Sequence, residues 1–187
     1  PITDIGIYIL VDVDSFYGIE YEEFPAQIAQ VAMWLIDHQM NMIASETFGD
    51  YYTRLPLRKT ATIKHGNALQ IDWQTLIETL PWEREQPRYH YILGNPPFIG
   101  KHLQNAAQKS DMELVFNGVK GSGVLDYVTA WYIRAAQYMQ LANVNEEKKL
   151  PKTKTAFVST NSIVQGEQVS ILWNELFNKY HCKIHFA

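Results

Sequence analysis

Residues 89–100, YHYILGNPPFIG, place an asparagine, two prolines and a phenylalanine at the end of an apolar run. Asn95, Pro96, Pro97 and Phe98 are a combination with a specific chemical use. Each residue before a proline is pushed out of the right-handed helical region, so this corner is rigid. Pro96 and Pro97 carry no backbone N–H, so the corner offers acceptors without competing donors. The Asn95 side-chain oxygen and the Pro96 carbonyl can converge on an amino group that has two hydrogens. Phe98 adds an apolar plate for a planar ring, worth roughly 1–3 kcal/mol when the ring is a base. An exocyclic amine on a heteroaromatic ring is a poor nucleophile because its lone pair is delocalised. Two acceptors drawing on its hydrogens favour a pyramidal nitrogen and aim the lone pair at an electrophile, which is the chemistry of amino methylation. A plain Pro-Pro turn is the alternative that four residues leave open.

Such a corner needs a strand to carry it. The run Tyr89 to Leu93 is β-branched and aromatic, as a buried strand would be, and Gly94 ends it. Around it, strand-like and helical patterns alternate. IGIYILVDVD and SFYGIEY read as strands, and PAQIAQVAMWLIDHQMNMI as a helix. Its apolar residues Ile28, Val31, Ala32, Leu35, Ile36, Met40 and Ile43 have helical spacing, with Pro25 in the first turn. A polar stretch from Ser45 to Lys59 precedes the strand-like TATIKHG, and a short helix is expected from Trp73 to Leu80. Gly100 to Gly123 has too little pattern to assign. LDYVTAWYIRAAQYMQLA reads as a second strong helix, followed by the charged link NVNEEKKLPKTK. TAFVST reads as a strand, Glu167 to Tyr180 as a helix and CKIHFA as a last strand. This order predicts an α/β fold, a mostly parallel sheet with helices on both faces.

In such sheets ligands bind beyond the carboxyl ends of the strands. Three strand ends carry polar groups: Glu20, Asn67 and Asn95. A carboxylate such as Glu20 can accept from two ribose hydroxyls. Alternatively, with Glu22 and Glu23 beside it, it forms a solvated acidic turn. Asn67 follows Gly66, which is also an ordinary turn signal.

Composition narrows the partners. The 187 residues suit one domain with a substantial core, and 47% hydrophobic with 13% aromatic content argues against disorder. A net charge of −4 and a pI near 5.9 give no overall basic footprint for nucleic acid. One cysteine, Cys182, excludes an internal disulfide and fits a reducing compartment. No apolar run reaches the roughly 18 residues of a membrane span, so no membrane partner is expected. The chain begins at Pro1 and stops at Ala187, and reads as a piece of something longer. Other groups read as structural. His181 and His185 flank Cys182 on the expected last strand, where a partly exposed face outweighs metal binding. Asp37 and His38 suggest helix capping, and Trp131, Tyr132 and Tyr138 suggest core. Lys148, Lys149, Lys152 and Lys154, interrupted by Pro151 and preceded by Glu146 and Glu147, suggest a solvated connection rather than a DNA patch.

NPPF after an apolar strand resembles the catalytic motif of N6-adenine-specific DNA methyltransferases, the class I enzymes that use S-adenosylmethionine. FYGIEYEEFPAQIAQVAMWLIDHQMN resembles the second-strand and helix region of large bacterial DNA methylases, both stand-alone and fused to restriction endonucleases. IKHGNALQIDW, GVLDYVTAWYIRAAQYM and KTAFVSTNSIVQGEQV resemble their later motifs, in order. The likeness covers most of Phe16 to Val169. It implies a Rossmann-like methyltransferase fold in a cytoplasmic bacterial enzyme of restriction–modification or phage defence. It also implies that Glu20 holds the cofactor ribose, that Asn67 and Ala68 meet its adenine edge, and that Ile19 and Tyr21 flank that ring. Asn95 and Pro96 would accept from the target adenine N6, within the motif Asn95-Pro96-Pro97-Phe98, and Phe98 would stack on the flipped base. Lys101 and His102 would be candidates for phosphate contact with double-stranded DNA. No metal is required. Nothing before Phe16 resembles the family's glycine-rich first motif, and GSG at 121–123 lies elsewhere. The resemblance therefore implies a catalytic domain incomplete at its N-terminus, with 1–15 as a connecting segment and 16–187 as the second strand onward. The isolated piece is expected to be inactive and prone to self-association through Ile5 to Val13. A non-catalytic nucleotide- or protein-binding module of the same fold, or an RNA or protein-glutamine N-methyltransferase, is the alternative.

Overall fold

The computed structural model describes residues 5–49, 60–77, 87–142 and 152–185. They form two compact units, divided between Ile77 and Glu78. Each unit contains one pair of parallel strands, as the alternating pattern requires of an α/β chain. The single sheet expected from the sequence is not seen among the described residues. They hold two two-stranded sheets instead.

The first unit is built on β1 (Tyr17–Glu20) and β2 (Thr62–His65), with Tyr17 opposite Thr62 and Glu20 opposite His65. The Thr62 N–H donates to the Phe16 carbonyl at 3.0 Å and the Gly66 N–H to the Glu20 carbonyl at 2.8 Å, so the ladder ends at the polar residues. α1 (Glu23–Phe48) has 26 residues and carries Pro25 in its first turn, where a missing N–H costs nothing. It runs past the expected end to Gly49, whose left-handed backbone (φ 69°) lets its N–H close on the Ser45 carbonyl. Asp37 and His38 are therefore mid-helix, not capping residues. Asp37 instead accepts a hydrogen bond from the Asn41 side chain at 3.1 Å.

The apolar stripe of α1 is only partly used. Ala26 and Asn41 are its buried residues, while Ile28, Val31, Leu35, Ile36, Met40 and Ile43 are 48–56% exposed. The reason is one of length. A helix of this size spans about 39 Å, whereas four strand residues span about 13 Å. The small core of the unit is Val13, Ala26, Ala61, Leu69, Trp73 and Leu76.

Ile5 to Val13 does not form the expected strand. It holds a 3-10 turn at Ile5–Tyr8 and a second at Val13–Ser15, capped by the Asp12 carboxylate accepting from the Val13 N–H. Ile7, Leu10 and Val11 are 72%, 92% and 61% exposed. The apolar run has no neighbouring strand to pair with among the described residues, and Asp12 favours the turn. Trp73–Leu76 is a 3-10 turn rather than a helix; 78–80 lie outside the described residues, as do most of 45–59 beyond Gly49 and most of 81–88.

The second unit pairs β3 (Tyr91–Gly94) with β4 (Lys154–Phe157) in parallel, Gly94 opposite Phe157. The Lys154 N–H donates to the His90 carbonyl at 2.9 Å and the Val158 N–H to the Gly94 carbonyl at 3.0 Å. α2 (Ala106–Val115) fills the stretch without an assigned pattern; it starts with a capping box in which Asn105 and Gln108 exchange side-chain-to-backbone bonds at 2.9 Å. α3 (Thr129–Ala142) begins four residues later than its apolar pattern, and its Ile133, Ala135, Ala136 and Tyr138 are buried, while Trp131 and Tyr132 are half-buried. Tyr132 meets the Phe157 ring edge-on at 5.3 Å, which lays α3 against one face of this sheet. The other face shows Tyr91 and Leu93 at 67% and 75% exposure, so β3 is not the fully buried strand expected, and helices on both faces are not seen within this unit.

α4 (Gln168–Asn174) continues into a π-helical turn, Glu175–Lys179. CKIHFA is not a strand over its described residues, 182–185. The chain turns there through His181 (φ 52°), and the Cys182 N–H donates to the Leu176 carbonyl at 2.8 Å, closing the helix rather than entering a ladder. Lys152 and Lys154 are exposed, and 143–151 lie outside the described residues. Among the described residues no helix is long and apolar enough to cross a membrane, and no group of three or more His, Cys, Asp or Glu could hold a metal ion.

Candidate active site

The polar residues singled out at strand ends lie where the sequence put them. Glu20 is the last residue of β1. Asn67 follows β2 by two residues, and the bond from the Gly66 N–H to the Glu20 carbonyl brings the two to the same end of that sheet. Gly66 has φ 151°, and a Cβ there would stand 2.8 Å from the Ile71 side chain, so this close turn requires glycine.

Both side chains are engaged by their own backbone. One Glu20 carboxylate oxygen accepts from the Tyr21 N–H at 2.9 Å and from the Glu22 N–H at 3.3 Å, and the same oxygen serves both bonds. The Asn67 side-chain oxygen accepts from the Leu69 N–H at 2.9 Å, while its carbonyl receives the Gln70 and Ile71 N–H groups. The Ala68 carbonyl accepts from the Trp73 indole at 2.8 Å, tying the turn to the buried Trp73 and Leu69. Ile19 is half-buried in β1 opposite Lys64, and Tyr21 is 66% exposed.

The corner Asn95 to Phe98 leaves β3 directly. Asn95, Pro97 and Phe98 are exposed and Pro96 is buried. Among the described residues none hydrogen-bonds the Asn95 side chain, so its amide oxygen is an available acceptor. Gly94 is packed against the neighbouring strand: a Cβ there would lie 3.1 Å from the Phe157 ring. Phe98 is 48% exposed, leaving about half of its surface open.

What holds this loop is hydrogen bonding to the segment ahead of α3. The Ile99 carbonyl accepts from the Tyr127 N–H at 2.8 Å, the Lys101 N–H donates to Asp126 Oδ1 at 3.1 Å, and Gln104 Nε2 donates to the Leu125 carbonyl at 3.0 Å. Three consecutive residues ahead of α3 thus grip three positions of the loop. Tyr127 is fixed in turn by its hydroxyl, which donates to the buried Asp111 at 2.6 Å, and by an edge contact with Trp131. Asp126 is fixed by Gln168. Gln168 Nε2 donates to Asp126 Oδ2 at 2.9 Å and to the Ser162 carbonyl at 2.8 Å, and Gln168 Oε1 accepts from the Asp126 N–H at 3.1 Å. Burial pushes the Asp126 carboxyl up, but hydrogen bonds from Gln168, Ser162 and the Lys101 N–H, with the Lys101 charge, outweigh it and hold the carboxyl below its usual range.

Lys101 and His102 follow the corner. The Lys101 ammonium lies 3.4 Å from Glu167 in an exposed pair of the kind that contributes little. His102 is exposed. Asp126 and Gln168 went unread in the sequence as site residues. Asp126 sits inside an apolar helical pattern, and nothing around Gln168 signals a partner 42 positions away.

The comparisons with known proteins agree on one family. Residues 4–187 match the family described as MmeI, DNA-methyltransferase domain. A curated relative, DNA methyltransferase A of Bacillus subtilis (strain 168), is 40% identical over 187 residues, which is 98% of this chain and 20% of that protein. A solved structure, the type IIL restriction–modification enzyme MmeI in complex with DNA, superposes with a TM-score of 0.78 at 50% identity, over 95% of this chain and 22% of that one. The chain thus spans about a fifth of the length of each of these relatives. Since the family match runs over nearly the whole sequence, the chain belongs to the MmeI DNA-methyltransferase domain family.

Proposed function

We propose that this chain is the part of a restriction–modification DNA methyltransferase that methylates adenine at N6, with S-adenosylmethionine as donor and double-stranded DNA as substrate. The observation that carries the reading is the corner after β3, with an exposed Asn95 side chain, unengaged among the described residues, beside the carbonyl of Pro96, where neither Pro96 nor Pro97 brings an N–H to compete. Asn95 and Pro96 accept the two hydrogens of N6 and turn its lone pair outward. Phe98, exposed at the rim, stacks on the extruded base. Extrusion costs a few kcal/mol, which stacking and the two hydrogen bonds offset. Pro97 keeps the corner rigid, so the geometry is set before substrate arrives. Lys101 and His102 meet DNA phosphate, the former by exchanging its loose pairing with Glu167.

The β1–β2 end suits the donor's nucleoside. One Glu20 oxygen is fixed by two backbone N–H groups, which aims the other away from the turn, as recognition of a ribose diol requires. Asn67 and Ala68 stand at the same strand end to meet an adenine edge, with Ile19 and Tyr21 as the apolar flanks. When bound, the donor supplies an electrophilic methyl group on a sulfonium. Glu20 and Asn67 orient it, Asn95 and Pro96 prepare the nucleophile, and no side chain here need form a covalent bond.

The test is Asn95→Ala in the full protein, with methyl incorporation into duplex DNA as readout. Turnover is expected to fall on the order of 100-fold or more, with donor affinity unchanged. Near-normal turnover would overturn the role of the corner.

A further inference from the structure

We infer that Asp126, braced by Gln168, is a positioning residue that fixes the loop after the Asn95–Phe98 corner; the inference rests on the reading of that corner as catalytic. Gln168 is buried, 7% exposed, and both ends of its amide are engaged by Asp126 and Ser162. Such a side chain joins two loops that are otherwise far apart in sequence. Ser162 belongs to the turn after β4, and Lys101 to the loop after β3. Because β3 and β4 are already paired, the bonds close a circuit: β3, corner, Lys101, Asp126, Gln168, Ser162 and back through β4. A closed circuit of directional bonds restrains the loop in a way that one contact cannot.

The restraint falls where it is needed. Phe98 is half-exposed, so packing restrains it less than a buried ring and the backbone bonds at Ile99 and Lys101 contribute to its direction. Asp126 touches neither base nor donor in this account. It acts through the loop, and it differs in this from the residues of the corner.

The structure also supplies a decisive exchange. Asp126→Asn leaves an acceptor for the Lys101 N–H but sets one amide NH₂ against another at Gln168. Gln168→Glu sets two carboxylates together. Combined, the two substitutions restore the Asp126–Gln168 donor–acceptor pair with its direction reversed, but turn a carboxylate oxygen toward the Ser162 carbonyl and leave that link broken, so the recovery is partial. In the full protein each single variant is expected to lower kcat roughly 10- to 100-fold, with the KM for S-adenosylmethionine within about twofold. The double variant is expected to recover about tenfold over the worse single, a coupling that independent sites would not show. Hydrogen exchange of the amides from Ile99 to Leu103, read on the same samples, is expected to quicken in the singles and slow again in the double. If Asp126→Asn fails to fold, Gln168→Ala, which removes the brace and leaves Asp126, carries the same expectation. Unchanged kcat in the single variants, or strictly additive losses in the double, would overturn the inference. Asn95→Ala is assayed beside them: its inactivity with fully active Asp126 variants defeats the inference alone, whereas an active Asn95→Ala defeats the reading of the corner on which it rests.

Discussion

The two strand ends manage their asparagines in opposite ways. After β2, Asn67 turns its side chain onto the Leu69 N–H, and Glu20 beside it holds two N–H groups of its own turn. Those side chains build the loops that carry them. After β3, Asn95 holds nothing among the described residues, and the loop is shaped from outside by Leu125, Asp126 and Tyr127. A polar side chain that supports its own turn can still present its remaining atoms, but its loss disturbs the fold. One whose loop is supported by others can be removed with the fold intact. Under the proposed function, the difference separates a residue that shapes a site from one kept open for a substrate.

Substitutions at equivalent places can break the contrast. Asn95→Ala has the largest expected effect on turnover, yet its melting temperature should stay near that of the parent, since no intramolecular bond is lost. Asn67→Ala should do the reverse to stability, costing about 1 kcal/mol through an unpaired Leu69 N–H. Chemical denaturation of both variants decides the matter, and equal destabilisation would erase the distinction. Gly94→Ala should cost roughly 1–3 kcal/mol, because the new methyl meets the Phe157 ring at 3.1 Å and the corner must shift with its strand. A turnover loss larger than the stability loss would sharpen the claim that the corner works by position.

Two smaller effects probe the supporting bonds. The Asp126 carboxyl is held below its ordinary value when folded, so its contribution is present above the unfolded pKa near 3.9 and is lost as pH falls through the folded one. Asp126→Asn should therefore flatten the acid limb of a stability–pH profile, and an unchanged limb would mean the bonds to Gln168 and Lys101 do not stabilise the ionised form. Lys179→Ala should matter least, by about 0.5 kcal/mol or less, since its 3.0 Å pair with Glu175 leaves the lysine half-exposed.

Some of this was legible in the sequence and some was not. β1, β2 and β3 announce themselves as aromatic and β-branched runs, and NPPF leaves the backbone few choices, so the corner was readable residue by residue. α1 was readable from its spacing, but its end was not. Gly49 carried the stop signal, and Asp37 and His38 drew attention from it. α2 was missed although Asn105 and Gln108 spell a capping box, because its apolar pattern is weak. Ile5 to Val13 and the described residues 182–185 of CKIHFA depart from the strands that their apolar patterns predict for a common reason. An apolar run becomes a strand only with a neighbour to pair with, and the sequence does not show neighbours. Asp126 and Gln168 were illegible on the same ground: their bond exists only once β4 and α3 are in place.

In the proposed function, Asn95 and Pro96 present an adenine N6 to the donor. The most direct test is the identity of the methylated nucleoside. The full protein is incubated with duplex DNA and S-adenosylmethionine labelled in the methyl group, and the DNA is then digested and resolved by mass spectrometry. Label is expected in N6-methyl-2′-deoxyadenosine, and on the order of 100-fold less of it when Asn95 is replaced by alanine. Label in a methylated cytosine, or in protein rather than DNA, would contradict it.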